Sequence, residues 1–61
     1  MICNNRIITS YNQAIRVWPD IGKLMITNNY IQCRSGGTPI ANKGTLGGGN
    51  EIIENNFEVV G

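Results

Sequence analysis

Few residues in this chain carry reactive chemistry. The nucleophile candidates are Ser10, Ser35, Cys3 and Cys33. Each would need a base beside it to be activated, and the sequence contains no histidine. Glu51, Glu54 and Glu58 are the only glutamates and could in principle share general acid–base work. All three sit in one short acidic stretch, where charge on a strand edge serves better to deter stray pairing. Without histidine, and with only two cysteines far apart, no metal-ligand spacing is present. The sequence therefore predicts no catalytic residue, no cofactor and no metal: a protein that is not an enzyme.

The glycine-rich stretch invites a phosphate-binding reading, which fails on detail. Gly44 to Asn50, GTLGGGN, lacks the Gly-Lys-Ser/Thr ending of a P-loop, and no helical pattern follows it. Ser35-Gly36-Gly37-Thr38 could cradle an anion with backbone N–H groups. A plain connecting segment is the simpler reading of both.

A set of basic and aromatic residues is more suggestive. Arg16, Trp18, Lys23, Met25, Tyr30 and Arg34 fall on one face if their segments pair as strands. Such a face can bind single-stranded nucleic acid, with bases stacking on rings and cations meeting phosphates. It can equally lie against another protein chain. The charge distribution leans toward the second use. Residues 1–49 hold all five basic residues and one acid, whereas residues 50–61 hold three acids and no base.

The elements that must position these residues are β-strands. Ten Ile, three Val and four Thr stand against two Ala and two Leu. β-Branched side chains suit a pleated surface, and the best helix formers are scarce. Nine Asn and eight Gly supply turn positions that tolerate positive φ. The expected architecture is one small all-β domain over residues 1–61, an antiparallel meander of about four to six short strands. Its parts are a strand-and-hairpin body (1–34), a Gly-rich loop (35–50) and an acidic C-terminal strand (51–61).

Lys23 to Arg34, KLMITNNYIQCR, carries this expectation. A two-residue turn at Asn28-Asn29 would place Ile26 opposite Ile31 and Leu24 opposite Cys33. A four-residue loop from Pro19 to Gly22 would place Val17 opposite Leu24 and Ile15 opposite Ile26. Both assumptions put Ile15, Val17, Leu24, Ile26, Ile31 and Cys33 on one apolar face, because side chains alternate strictly along a strand. Asn-Asn is nonetheless a poorer two-residue turn than Asn-Gly.

Elsewhere the reading is looser. Residues 1–9 suggest a first strand interrupted at Asn4-Asn5. Residues 10–18 carry a helical stripe (Tyr11, Ala14, Ile15, Trp18) with a capping box at Ser10 and Gln13. The alternation from Ala14 to Trp18 favours a strand. Thr38 to Ala41 could form a short edge piece. An alternative architecture comes from three similar segments, MICNNR, MITNNY and IIENNF. Their Asn pairs begin at positions 4, 28 and 55, a spacing compatible with a short β-solenoid whose Asn residues stack at corners.

Sixty-one residues bury little apolar surface, and chains of this size are usually secured by disulfides, metal or oligomerisation. Cys3 and Cys33 offer at most one disulfide. Oligomerisation is thus the expected partner relationship: a structural or assembly protein that self-associates, or docks on a larger assembly, by strand addition. Virion accessory or decoration proteins and filament subunits are settings of that kind. The docking strand would be Glu51, Ile52, Ile53, Phe57 and Val59, following the Gly47-Gly48-Gly49 hinge. The alternatives are a single-strand nucleic-acid-binding module and a small protein inhibitor of a host target. No stretch has the apolar length of a membrane span, and residues 1–10 lack the pattern of a secretory signal. A cytoplasmic or virion-associated location is expected.

Overall fold

The computed structural model describes residues 1–61, and it is all-β. Eight short strands are joined by turns: β1 (Ile2–Cys3), β2 (Arg6–Ile8), β3 (Ile15–Arg16), β4 (Leu24–Thr27), β5 (Tyr30–Cys33), β6 (Ile40–Ala41), β7 (Glu51–Glu54) and β8 (Phe57–Val60). The one helical element is a 3-10 turn over Pro19–Ile21.

Every strand pairing is parallel. The sheet orders are β1-β4-β7, β2-β5-β8 and β3-β6. The chain therefore visits three sheets in turn and then visits them again. Its first pass supplies β1 to β3, its second β4 to β6, and its third β7 and β8. Register is kept between passes. Ile2 lies beside Ile26 and Ile26 beside Ile53; Arg6 lies beside Tyr30 and Tyr30 beside Phe57.

The antiparallel meander is overturned by these pairings. Lys23 to Arg34 is not a hairpin: β4 and β5 flank Asn28-Asn29 but belong to different sheets. The reason lies in the backbone at that point. Asn28 has φ of 58° and Asn29 is not in the positive-φ region. A two-residue type I′ turn needs positive φ at both central residues, so one left-handed residue bends the chain into a corner without reversing it. Asn4 and Asn55 have φ of 58° and 55° and do the same in the first and third passes. Pro19 to Gly22 likewise forms a 3-10 turn with Gly22 at φ 88°, without pairing Trp18 to Lys23.

Other expectations are refined. Residues 1–9 form two strands around the Asn4-Asn5 corner. The strand in residues 14–18 shortens to Ile15–Arg16, and the edge piece in 38–41 shortens to Ile40–Ala41, its parallel partner. Cys3 and Cys33 are both free thiols.

The core lies between the three sheets. Val17, Ile26, Ile31 and Ile40 form its fully buried cluster, and Ile2, Ala14, Ile15, Leu24, Leu46 and Ile53 pack against it. The face predicted to be apolar is therefore the inward one, although the pairing that suggested it is wrong. Alternation along each strand decides which side chains point inward, and it is indifferent to the direction of the neighbouring strand.

Candidate assembly surfaces

The second Asn of each corner pair builds a ladder across the passes. The Asn5 backbone N–H donates to Asn29 Oδ1 at 2.8 Å, and the Asn29 N–H donates to Asn56 Oδ1 at 3.1 Å. Each carboxamide also reaches back. Asn29 Nδ2 donates to the Ile2 carbonyl at 3.0 Å, and Asn56 Nδ2 to the Ile26 carbonyl at 2.9 Å. Asn29 Nδ2 also meets Asn56 Oδ1 at 3.0 Å. A corner cannot continue the regular strand ladder, so its backbone groups need side-chain partners. Asparagine supplies both a donor and an acceptor on one short side chain, and Asn29 accordingly sits buried at 3 % exposure with its polar atoms satisfied.

β1 and β2 are edge strands of their sheets. Asn5 Nδ2 turns instead to the Cys3 carbonyl of its own pass, at 3.0 Å. On the outer surface beside this corner runs a second column. Arg6 lies over the Tyr30 ring at 5.7 Å, and Tyr30 stacks on Phe57 with centroids 5.6 Å apart. Phe57 ends the column 67 % exposed.

The predicted basic-aromatic set is not gathered on one sheet. Arg16 follows Ile15 in β3 and lies 4.7 Å over the Trp18 ring. Lys23 and Met25 stand at β4, where they line an open groove of about 280 Å³ with Met1, Asn50 and Ile52. Tyr30 belongs to β5, in the Arg6 column. Arg34 lies just beyond β5, where its backbone N–H donates to the Tyr11 carbonyl. Three sheets thus share what the hairpin register assigned to one face. The two members that the sequence reading omitted, Arg6 and Phe57, are those that Tyr30 touches. Their signal was present in the position following each Asn pair, occupied by Arg6, Tyr30 and Phe57 in turn.

The predicted docking strand is likewise relocated. Glu51, Ile52 and Ile53 belong to β7, paired with β4, and Phe57 and Val59 belong to β8, paired with β5. Within its own chain this segment is already docked. What it leaves is an outer edge on each of the two strands, since β7 and β8 are the last members of their sheets. β1 and β2 leave the complementary edges at the opposite end.

Two carboxylates stand at inward register positions of the third pass, Glu51 beside Leu24 and Glu58 beside Ile31. Both find partners in the segment after β6. Glu51 accepts from the Gly44 and Leu46 backbone N–H groups, and Glu58 pairs with Lys43. The Gly-rich segment thus holds Glu51 by its backbone N–H groups and Glu58 by charge. No three His, Cys, Asp or Glu side chains come together as a metal site, and no helix is long and apolar enough to cross a membrane. Compared with protein-family models, with curated proteins and with solved structures, the chain matches none of them.

Proposed function

We propose that the three-pass coil is a short β-solenoid and that the protein is a non-enzymatic assembly subunit, joining further protein through strand addition at the ends of the coil. The carrying observation is the pair of open ends. Unpaired parallel edges remain on β1 and β2 at one end and on β7 and β8 at the other. Among strand residues, the large apolar side chains most exposed to solvent are Ile8, Ile52, Phe57 and Val60, all on the two end passes. A solenoid buries its core by stacking neighbours, and its terminal repeats need covering. Self-association is the favoured form, with docking on a larger assembly such as a virion or filament as the broader setting.

Sedimentation velocity across a wide concentration range tests this reading. The expected result is a mass that rises above the monomer with concentration. A monomer at every concentration would overturn self-association. A single-strand nucleic-acid module is the second reading, supported by the exposed Arg16–Trp18 pair. It predicts that oligonucleotides quench the single tryptophan at low salt, and unchanged fluorescence would dismiss it.

A further inference from the structure

We infer that the occupant of each open end is a second copy of this chain added head to tail, with Asn5 of the incoming copy continuing the ladder beyond Asn56. This inference rests on the self-assembly reading above and names its partner, polarity and register.

The hydrogen bonds decide the polarity. Across both existing steps, a corner N–H in one pass donates to the Asn carboxamide oxygen of the next: Asn5 to Asn29, then Asn29 to Asn56. The Asn56 N–H would be the next donor, and Asn5 Oδ1 the matching acceptor at the other end. The carboxamide donors run the other way at each step, from Asn29 back to the Ile2 carbonyl and from Asn56 back to that of Ile26. Ile26 is beside Ile53, so an incoming Asn5 would release the Cys3 carbonyl and donate to that of Ile53. The strand edges agree. The Tyr30 and Phe57 N–H groups donate to the Asn5 and Asn29 carbonyls, each at 2.8 Å. In a parallel ladder, alternate residues turn their peptide groups to opposite neighbours. Arg6 in β2 and Glu58 in β8 therefore turn theirs to the free edges, where one copy's Arg6 N–H meets the next copy's Asn56 carbonyl.

The side chains agree as well. In this register an incoming Arg6 falls beside Phe57, extending the column in which Arg6 already covers Tyr30. An incoming Ile8, 54 % exposed, falls beside Val59, and an incoming Ile2 beside Ile53. The third-pass strands that an incoming β1 and β2 would meet carry Glu54 and Glu58, and β2 brings Arg6, so unlike charges approach. The inward Glu58 would meet an incoming Ile7. Its pairing with Lys43 keeps it from being left as an unpaired charge, while weakening the joint relative to an all-apolar one. An interface that repeats by translation does not close, so the product is an open filament.

Two end-blocking variants test polarity. Arg6→Pro removes an N–H that faces only the first-pass edge, and Glu58→Pro one that faces only the third-pass edge. Proline is tolerated at such edge positions, and circular dichroism checks that each variant keeps the parent's β signature. Each variant alone is expected to lose filament growth, with association weakened at least tenfold. An equimolar mixture is expected to form a 1:1 heterodimer and stop there, because one intact end of each kind remains. If the parent associates but the mixture does not form that dimer, or Glu58→Pro still self-associates like the parent, the head-to-tail inference is overturned while self-assembly stands. A parent that stays monomeric overturns both. Should either proline variant unfold, Ile8→Lys and Val59→Lys repeat the mixture from the exposed Ile8 and the half-buried Val59 with the same expected outcomes.

Discussion

The middle pass of the coil and its two outer passes are built from similar residues and have different fates. Ile26 is fully buried, whereas its neighbours in the same column, Ile2 and Ile53, are only partly so. Asn29 is buried, and its equivalents Asn5 and Asn56 are not. Tyr30 is covered on one side by Arg6 and on the other by Phe57, while Phe57 itself stands mostly in solvent. Apart from Val17, every fully buried residue lies between Ile26 and Ala41. Within the β1-β4-β7 and β2-β5-β8 sheets, residue type therefore does not set burial by itself; having a strand on both sides does. Stability in a stacked fold is approximately a sum of such nearest-neighbour contacts, and the outer passes hold half of theirs.

Replacing equivalent residues in different passes would sharpen this contrast. The largest difference is expected for Ile26→Ala against Ile53→Ala. Loss of a fully buried Ile side chain costs about 2–5 kcal/mol, and Ile53→Ala should cost less than half as much. For a domain this small, each kcal/mol lowers Tm by about 4–8 °C, so thermal unfolding followed by circular dichroism separates the pair.

The next contrast is Asn29→Ala against Asn5→Ala. The first removes the part-buried bonds to the Ile2 carbonyl and from the Asn5 N–H, at about 1–3 kcal/mol in total. The second removes only the bond to the Cys3 carbonyl and should shift urea denaturation by under about 1 kcal/mol, as an exposed hydrogen bond does. Equal effects would mean that the ladder is not organised around the middle pass.

Gly37→Ala probes a close approach between β5 and β6 of the middle pass. An added Cβ would overlap the Asn12 carbonyl and lie 3.0 Å from Cys33 Sγ. The Thr38 N–H donates to that same carbonyl at 2.8 Å, so the backbone cannot move aside without losing a bond between the first and second passes. Overpacking of this kind costs about 1–3 kcal/mol, readable as a lower urea midpoint. Gly36→Ala, at positive φ (83°) but facing open space, separates backbone strain from the steric overlap at Gly37, which is not at positive φ.

The smallest effect is expected at the third pass. Lys43→Ala breaks the pair with Glu58 and should change stability by under about 1 kcal/mol, as partly exposed ion pairs do. If the change is several times larger, Glu58 is effectively buried and the third pass is more enclosed than its exposure indicates.

Much of the core was legible in the sequence. Ile15, Val17, Leu24, Ile26, Ile31 and Cys33 share one side because alternation has a period of two, whatever the strand pairs with. The three segments ending in Asn-Asn were legible as well, and their equivalent residues do lie in register. The surface set was not. Arg16, Trp18, Lys23, Met25, Tyr30 and Arg34 were gathered by a register that depended on β4 and β5 being partners. Once those strands separate into different sheets, only the local pair Arg16–Trp18 and the Lys23–Met25 neighbourhood survive as groups. Arg6 and Phe57 join Tyr30 in one column only because parallel pairing brings residues 24 and 27 positions away beside it.

What the sequence determined by itself was local: strand composition, the inward or outward sense of each side chain, and a bend wherever Asn-Asn occurs. These follow from β-branching, from alternation and from the tolerance of asparagine for positive φ. Tertiary structure alone decided which strands become neighbours. A single left-handed residue at Asn28 turns the chain by a corner, where two would have reversed it. That choice sends each strand to meet its counterpart one pass away. Parallel partners then stack Asn29 between Asn5 and Asn56 and leave β1 and β2 as edge strands on one side and β7 and β8 on the other.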